Sequence, residues 1–302
     1  MGRARGRGWS VDDDAHGAAP LAMRVLITGA GGQLGHDLVA AFARDEAVAL
    51  SREELDVTDE AAVVAAVRDS APDLVVHAAA YTKVDACESE TETAWRVNAL
   101  GSWWLARACA LGGAAMVYVS SDYVFDGRAG RPYTEFDSTA PQSMYGRTKE
   151  AGEQLVRRAL DRHYIVRTSW VQGAHGANFV KTMLRVGAER GAVSVVDDQT
   201  GSPTFTFDLA PAIRTLAVTG RHGTYHLTNE GHCTWFEFAR AIFSEAGLAV
   251  DVTPIDSESF GAPAPRPQFS VLDNLMARMT GLPPLPPWQA SLKRLIAELR
   301  ER

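Results

Sequence analysis

From Met23 onward, short apolar runs alternate with longer amphipathic stretches. The apolar runs are bounded by turn or polar residues and predict strands at Arg24–Thr28, Ala47–Leu50, Asp73–Ala79, Ala115–Ser121 and Tyr164–Trp170. The amphipathic stretches predict helices at Leu34–Arg44, Glu60–Ser70, Thr91–Leu111 and Tyr145–Leu160. The strands are apolar on both faces, which is typical of a parallel sheet covered by helices. The pattern therefore predicts an α/β fold with a doubly wound parallel sheet.

Beyond Trp170 the alternation loosens. A polar turn at 173–178, a "VVDDQTGSPT" segment and a proline-rich stretch at 261–268 follow. We predict a first domain over residues 23–170 and a smaller C-terminal domain over 171–302, with some elements returning to the sheet. Residues 1–22 combine arginines and an aspartate triplet without periodicity, so we expect a disordered N-terminal extension, and Met23 is an alternative start.

Composition excludes several classes of protein. A chain of 302 residues with 46% hydrophobic content can bury a large core. The net charge of −7 gives no basic surface for nucleic acid or an anionic membrane, and no apolar run approaches the roughly 18 residues of a membrane-spanning helix. Cys87, Cys109 and Cys233 form no CxxC pair, so neither a disulfide framework nor a zinc site is expected, and a cytoplasmic location fits.

The segment "TGAGGQLG" directly follows the first strand and precedes the first helix. Gly29, Gly32 and Gly35 would permit a tight turn and let a pyrophosphate lie against backbone N–H groups at the helix N-terminus. Because the motif sits in a strand–helix–strand unit, it predicts that residues 23–170 bind a dinucleotide.

The end of the second strand bears on the choice of dinucleotide. An acidic residue there would bind the ribose diol of NAD, but the sequence has Ser51 and Arg52. An arginine beside a hydroxyl suits a 2′-phosphate, which favours NADPH, with NADH as the alternative. In the alternative reading Arg52 is a solvated loop residue, and Glu53 or Glu54 binds the ribose.

Tyr145 and Lys149 lie one helical turn apart and share a face of the predicted helix. A nearby ammonium should lower the tyrosine pKa from its usual value of about 10 because it favours the phenolate. Gly146 costs about 1 kcal/mol relative to alanine in a helix, which we attribute to close approach of a nicotinamide. Ser121 and Asp122 end the fourth strand, at the edge where open α/β sheets bind ligands.

Together with the glycine loop, the segments "HAAAYTKVDACESE", "SSDYVFDG", "YGRTKEAGE", "RTSWVQG", "NFVKTML", "VVDDQTGSPT", "GTYHL" and "APRPQFSVLD" occur in a characteristic order. The chain thereby resembles the dTDP-4-dehydrorhamnose reductases of the extended short-chain dehydrogenase/reductase superfamily, over essentially all of residues 24–300. The serine, tyrosine and lysine are typical of the superfamily, whereas "SSDYVFDG", "RTSW" and "DQTGSPT" together are typical of the reductases. Gln172 departs from the family, which usually has tyrosine there.

The resemblance implies a Rossmann-type fold with a C-terminal domain that binds a sugar nucleotide. It also implies NADPH-dependent reduction of the C4 keto group of a dTDP-4-dehydro-6-deoxy-L-hexose, most often dTDP-4-dehydro-L-rhamnose to dTDP-L-rhamnose. Tyr145 would protonate the oxygen, Lys149 would bind the nicotinamide ribose, and Ser121 would hydrogen-bond the carbonyl.

The resemblance and the motifs together define two candidate sets. The cofactor set is Gly29, Gly32, Gln33, Leu34, Gly35, Ser51, Arg52, Asp56, Val57, Ala78, Ala79, Ala80, Tyr81, Tyr145 and Lys149. The substrate set is Ser121, Asp122, Trp170, Asn178, Phe179, Gln199 and Arg266. Trp170 could instead be a core aromatic, and Arg266 a solvated loop residue.

Alternative functions share part of this pattern. A reductase of a related dTDP-4-ketosugar for an antibiotic, such as the dihydrostreptose precursor, would have the same chemistry. The regulatory subunit of methionine adenosyltransferase resembles these reductases without being an enzyme, and related epimerases and dehydratases are a third class. Some relatives hold Mg²⁺ at a subunit contact, but no residue set here requires a metal, and a homodimer is one assembly open to the chain.

Overall fold

The computed structural model describes residues 22–302. The predicted extension at residues 1–22 lies outside the described residues, except for Ala22.

The strands of the described chain are β1 Arg24–Thr28, β2 Glu46–Leu50, β3 Leu74–His77, β4 Ala115–Ser121, β5 His163–Thr168, β6 Val171–Gln172, β7 Ala192–Val196, β8 Thr200–Gly201, β9 Thr204–Phe205, β10 Gly223–His226, β11 Cys233–Thr234 and β12 Asp251–Ile255. The α-helices are α1 Gln33–Ala41, α2 Glu60–Ser70, α3 Val84–Ser89, α4 Thr91–Trp95, α5 Ser102–Gly112, α6 Met144–Ala159, α7 Phe179–Arg190, α8 Thr206–Ala217, α9 Trp235–Ala246, α10 Ser257–Phe260, α11 Leu275–Met279 and α12 Trp288–Glu301.

Six strands form the central sheet, in the order β10-β5-β4-β3-β1-β2. Every pairing in this sheet is parallel, which confirms the predicted fold class. The chain runs outward from β1 to β2 and then returns past β1 to β3, so the strand order reverses between β1 and β3. In doubly wound sheets, ligands bind outside the carboxyl ends of the strands at such a reversal.

Two apolar layers cover the sheet because successive side chains of a strand point to opposite faces. Ile27 faces a layer that includes α1 and α8, represented by Leu38 and Ile213. Its neighbour Leu26 faces a layer that includes α2, α5 and α6, represented by Leu105. The sheet is therefore buried on both sides, as its continuous apolar runs predicted.

A further cluster lies between α7, α9 and α12 and contains Phe238, Trp288 and Leu295. It belongs to the C-terminal half, but α8 and β10 of the same half pack into the central sheet and its layers. The domain boundary near residue 170 stays a prediction.

The predicted helix at Thr91–Leu111 is wrong as one continuous α-helix. The structure has α4, then a π-helical segment at Arg96–Gly101, then α5. Gly101 lies against Val57 there, since a β-carbon on Gly101 would approach the carbonyl oxygen of Val57 to 2.9 Å. A π-helical turn often marks a functional site, because it redirects side chains within a helix.

Candidate active site

The glycine loop joins β1 to α1 at the reversal of strand order. Gly29 has a φ of 75°, and a β-carbon there would lie 2.6 Å from the backbone nitrogen of Ala79. A β-carbon on Gly35 would overlap the carbonyl oxygen of Gly29, so Gly35 permits close packing of helix on strand. The protein's own backbone thus requires these two glycines.

Gly31 and Gly32, by contrast, are exposed. Gly32 is the N-cap of α1, no side chain caps this helix end, and its first turn contains no acidic residue. Unpaired backbone N–H groups at a helix N-terminus attract anions. The loop therefore fits a pyrophosphate, whereas Leu34 is buried and serves the core.

The turn after β2 holds Ser51, Arg52 and two glutamates. Glu54 accepts a hydrogen bond from the Ser51 backbone nitrogen at 2.7 Å. Arg52 is exposed and has no hydrogen bond or ion pair to any residue within 22–302. The guanidinium is thus available to a ligand, while Glu54 is occupied by its own loop.

Asp56 and Val57 follow this turn. Hydrogen bonds from the Thr58 backbone and hydroxyl lower the pKa of Asp56, with smaller contributions from Arg52 and Arg96. Val57 is buried and packs into the sheet layer with α2 and α5. Only Asp56 of the two presents a polar exposed side chain.

The segment Ala78–Tyr81 leaves the carboxyl end of β3 and is half-buried. It is fixed by Asn98, whose Oδ1 accepts from the Tyr81 backbone nitrogen at 2.8 Å and whose Nδ2 donates to the Tyr81 carbonyl at 3.1 Å. Asn98 also donates to Thr148 on α6. This buried asparagine of the π-helical turn thereby connects the wall beside the glycine loop to α6.

Helix α6 begins where Ser143 accepts a hydrogen bond from the Gly146 backbone nitrogen. Its buried stripe contains Tyr145, Lys149, Glu153 and Val156. Such spacing places the tyrosine and the lysine on one face, as predicted. The structure brings this face against the end of β4, where Ser121 lies.

Burial raises the pKa of Tyr145 well above its usual range, and a hydrogen bond with Ser121 opposes this rise. The tyrosine ring packs edge-on against Tyr123, with centroids 5.4 Å apart. The expected depression of the tyrosine pKa by Lys149 is wrong in this structure. The Lys149 ammonium instead donates to the Val119 carbonyl at 2.7 Å and lies 4.2 Å from the centre of the Tyr118 ring.

Lys149 is buried, and burial lowers its pKa to about 7, against the attraction of Glu153. Glu153 is itself bound by Arg167 at 2.7 Å and by the Ser120 hydroxyl at 2.6 Å. Neither Glu153 nor Arg167 was predicted from the sequence as a site residue. The available signal was a second charged residue four positions after Lys149, on the same buried face of α6.

The predicted reason for Gly146 is also wrong. A β-carbon there would overlap the carbonyl oxygen of Tyr123 and approach Pro141 to 3.0 Å. The short segment after β4 therefore excludes a side chain at this position. The protein's own backbone, rather than a nicotinamide, occupies the space.

Asp122 follows Ser121 and is fully buried. Its Oδ1 accepts a hydrogen bond from the Ser121 hydroxyl at 2.9 Å, whereas its Oδ2 has no partner among the described residues. Burial raises the pKa of Asp122 to about 6, and the nearby hydroxyls of Ser270 and Ser121 oppose this rise. The unpartnered oxygen leaves a polar atom available next to Ser121.

Trp170 has the left-handed backbone conformation, with a φ of 46°, which is uncommon for a bulky side chain. Its ring stacks on Trp235 with centroids 3.5 Å apart and planes 7° apart. Gly201 lies against the same indole, since a β-carbon there would overlap it. Backbone strain of this kind is concentrated at functional sites.

The side chains of Gln172 and Asn178 form hydrogen bonds with backbone groups close to them in the chain. Gln172 is buried, donates to the Trp170 carbonyl and accepts from the Val180 backbone nitrogen, both at 3.1 Å. Asn178 caps α7 by accepting from the Lys181 backbone nitrogen at 3.0 Å. Phe179 packs 4.5 Å from Trp235 and so extends the aromatic cluster.

The remaining substrate candidates make contacts within the protein. Gln199 is buried and donates to the Ser257 hydroxyl at 2.9 Å. Arg266 forms a two-pronged ion pair with Asp85, at 3.0 and 2.9 Å. The roles of these residues toward a ligand stay predictions.

Within residues 22–302, no group of three or more histidine, cysteine, aspartate or glutamate side chains could hold a metal ion. No helix among these residues has the length and apolar content needed to cross a membrane.

Comparison with known proteins gives a consistent result. Residues 23–301 match the family described as "RmlD substrate binding domain". A dTDP-4-dehydrorhamnose reductase of Mycobacterium tuberculosis H37Rv is 46% identical over 283 residues, covering 91% of this chain and 92% of that protein. The Streptomyces griseus protein of the same name is 45% identical over 278 residues, covering 89% of this chain and 91% of its own length. The crystal structure of dTDP-4-dehydrorhamnose reductase from Bacillus anthracis, in complex with NADP, has a TM-score of 0.90 and 44% identity, covering 92% of this chain and all of that one.

Proposed function

The chain belongs to the dTDP-4-dehydrorhamnose reductase family, and from this membership we propose that it reduces the C4 keto group of a dTDP-4-dehydro-6-deoxy-L-hexose with NADPH. The substrate it fits best is dTDP-4-dehydro-L-rhamnose, and the product is dTDP-L-rhamnose. The observation that carries the proposal is the placement of Tyr145 and Lys149 on the buried face of α6, beside Ser121. Ser121 and the glycine loop follow the carboxyl ends of β4 and β1, which lie at the same edge of the parallel sheet.

The cofactor would be held by groups that the structure leaves available. Backbone N–H groups at the start of α1, beside the exposed Gly31 and Gly32, would bind the pyrophosphate. The exposed Arg52 would pair with the 2′-phosphate, which supports NADPH over NADH. The wall at Ala78–Tyr81 would lie along the dinucleotide. When bound, NADPH supplies the hydride.

Tyr145 would give its proton to the C4 oxygen as the carbonyl is reduced. Its high pKa in the protein means that the hydroxyl is protonated and able to donate at neutral pH. Ser121 would turn its hydroxyl from Asp122 Oδ1 and donate a hydrogen bond to the same oxygen, which stabilises the negative charge that develops there. Lys149 would hold the nicotinamide ribose through its buried ammonium, which in this structure donates to the Val119 carbonyl.

Asp122, Trp170, Asn178 and Phe179 are proposed to form the sugar-nucleotide side of the site. Gln199 and Arg266 would lie farther along it, toward the diphosphate. Contacts so far from the reacting carbon make sense only for a substrate larger than a free sugar, because remote binding energy is used at the reacting centre.

The test is direct. The purified protein is incubated with NADPH and a panel of dTDP-4-ketosugars, the loss of nicotinamide absorbance is followed, and the products are identified. We expect turnover with the rhamnose precursor, and a much lower kcat/KM for the same sugar without its nucleotide.

Gln172 leaves one alternative open. It stands where the family usually has tyrosine, and it binds the backbone of Trp170. Turnover with another dTDP-4-ketosugar alone would therefore assign the chain to a sister reductase of antibiotic-sugar type. Tight NADPH binding without turnover on any ketosugar would favour a non-catalytic regulatory function.

A homodimer and a cytoplasmic location are proposed on the same family basis. Cys87, Cys109 and Cys233 are buried free thiols, which agrees with a reducing compartment. Light scattering of the purified protein would establish the oligomeric state.

A further inference from the structure

Gln33 is the first residue of α1. Both the nitrogen and the oxygen of its side-chain amide form hydrogen bonds with residues outside the glycine loop. Its Nε2 donates to the Val171 carbonyl at 2.9 Å, and its Oε1 accepts from Asn178 Nδ2 at 2.6 Å. Both partners belong to the segment 171–178, which contains β6 and leads to α7. Gln33, which was predicted from the sequence to bind the cofactor, is thus hydrogen-bonded to the segment that contains the substrate candidate Asn178.

Asn178 is the second member of this contact. Its Oδ1 caps α7 through the Lys181 backbone nitrogen, and its Nδ2 donates to the Gly173 carbonyl as well as to Gln33. One amide therefore fixes the start of α7, the preceding turn and the first residue of α1. We call the pair Gln33 and Asn178 the amide bridge.

Close packing supports the amide bridge along the whole segment. A β-carbon on Gly173 would lie 3.3 Å from Gln33 Cγ, and one on Gly176 would lie 3.5 Å from Gln33 Cβ. His36 of α1 stacks on His175, with ring centroids 4.0 Å apart and planes 17° apart. The segment is thus held to α1 by two hydrogen bonds, two glycine contacts and a ring stack.

The segment 171–178 lies between residues proposed to bind the sugar nucleotide and the helix proposed to bind the cofactor. It begins directly after the strained Trp170 and ends at Phe179, both of which are proposed to bind the sugar nucleotide. Its other side rests on α1, whose N-terminus is proposed to bind the pyrophosphate. Any ligand that steadies the first turn of α1 therefore steadies Gln33, and through it the segment 171–178.

We propose that Gln33 is a positioning residue that couples the two halves of the site: a nicotinamide dinucleotide at α1 orders the segment 171–178 for the sugar nucleotide. The inference rests on the proposed function for the identity of the two ligands. Because binding coupling is reciprocal, dTDP should in turn raise the affinity for the dinucleotide.

The first experiment needs no sugar substrate. Amide hydrogen exchange is measured by mass spectrometry on the full chain, with and without NADP⁺, for peptides covering the glycine loop and residues 171–180. In the wild type we expect NADP⁺ to slow exchange in both peptides. In Gln33→Leu we expect slower exchange in the glycine loop only, because the backbone N–H groups of α1 remain but the amide bridge is gone.

The second experiment separates binding from turnover. Gln33→Leu should raise the KM for the dTDP-4-ketosugar about five- to twentyfold, the equivalent of one to two hydrogen bonds, with a smaller change in kcat. Asn178→Asp keeps the cap on α7 but loses the donor to Gln33, so it should raise the same KM while the protein stays folded. Gln154→Leu, the same change at an exposed position of α6, is the matched control and should leave KM unchanged.

The outcomes are distinct. Equal NADP⁺ protection of residues 171–180 in wild type and Gln33→Leu would overturn the coupling, as would no protection of that peptide in the wild type. Loss of NADP⁺ binding itself in Gln33→Leu would overturn it too, since the side chain would then serve the cofactor. Failure of the proposed substrate would appear as absent turnover in the wild type, whatever the exchange measurement shows.

Discussion

The carbonyl oxygen of Tyr123 occupies the space into which a β-carbon on Gly146 would project. Tyr123 lies in the 3₁₀ turn Asp122–Val124 after β4, and Gly146 lies between the proposed catalytic residues Tyr145 and Lys149. This contact sets the distance between α6 and the end of β4. The relative position of Ser121 and Tyr145 therefore depends on residue 146 being a glycine, which has no side chain.

Replacing Gly146 by alanine should destabilise the protein, although alanine is the better helix former. We expect a loss of about 1 to 3 kcal/mol, typical of overpacking, in urea unfolding, together with lower turnover as α6 shifts. Gly112→Ala is the control, because the nearest atom to its new methyl is Val67 Cγ1 at an ordinary 3.7 Å. A Gly146→Ala variant as stable as Gly112→Ala would show that α6 is free to move.

Removing the Tyr145 hydroxyl should remove the proton donor and little else. Tyr145→Phe should reduce kcat by about 10² to 10⁴-fold, with the NADPH dissociation constant unchanged in fluorescence titration. Tyr164→Phe loses a hydroxyl that donates to the Ala217 carbonyl, away from the site, and should retain full activity. Near wild-type turnover by Tyr145→Phe would assign proton donation to another group.

Arg52 should distinguish the two nicotinamide cofactors. Since its guanidinium is exposed and unpaired within residues 22–302, Arg52→Ala should weaken NADPH by about 1.5 to 3 kcal/mol, one charge-assisted contact, and NADH far less. Dissociation constants for both cofactors, measured alongside the exposed Arg68→Ala control, test this. Equal losses for NADPH and NADH would place the 2′-phosphate elsewhere.

Asp122 should give the stability a defined pH dependence. Its pKa rises from 3.8 to about 6 on burial, so between these values the folded chain binds more protons than the unfolded chain, and stability falls as pH rises. Asp122→Asn removes this loss. The stability advantage of the variant should therefore grow by about 2 kcal/mol between pH 4 and pH 6 and level off near pH 7, about one unit above the folded pKa.

Urea unfolding of both proteins across this pH range measures the effect. Asp73→Asn, at an exposed residue paired with Arg24, is the control and should show no such gain. Parallel pH profiles for wild type and Asp122→Asn would mean that the Asp122 carboxyl is solvated.

Local sequence pattern predicted most of the central sheet. The bounds of β1, β4 and α2 coincide with the predicted ones, and the other predicted strands differ by no more than two residues at either end. Period-two and helical patterns are properties of a few neighbouring residues, so they can be read without the rest of the chain. The proposed set of Ser121, Tyr145 and Lys149 was found in the same way, from spacing along one helix and one strand end.

Other features depend on partners far away in the sequence. Gln33 meets Val171 and Asn178 across more than a hundred residues, and the partner of Gly146 is a carbonyl on another element. The π-helical turn around Asn98 depends on contacts with Tyr81 and Thr148 rather than on its own sequence. Such contacts leave no periodic signal, which is why the reasons given for Gly146 and for the tyrosine pKa were wrong.

Strand β10 is one of the two edge strands of the sheet, and it is the last of the six to be synthesised. A newly made chain can therefore complete the sheet only late in synthesis. Synthesis delivers β1 to β5 first, but the edge of β5 has no neighbour until residues 223–226 have left the ribosome. The layer over β1 also waits for α8, and for Ala277 and Leu282 near the end of the chain. An exposed strand edge beside an uncovered apolar face favours aggregation. A nascent chain stopped near residue 170 should therefore depend on chaperones rather than fold by itself.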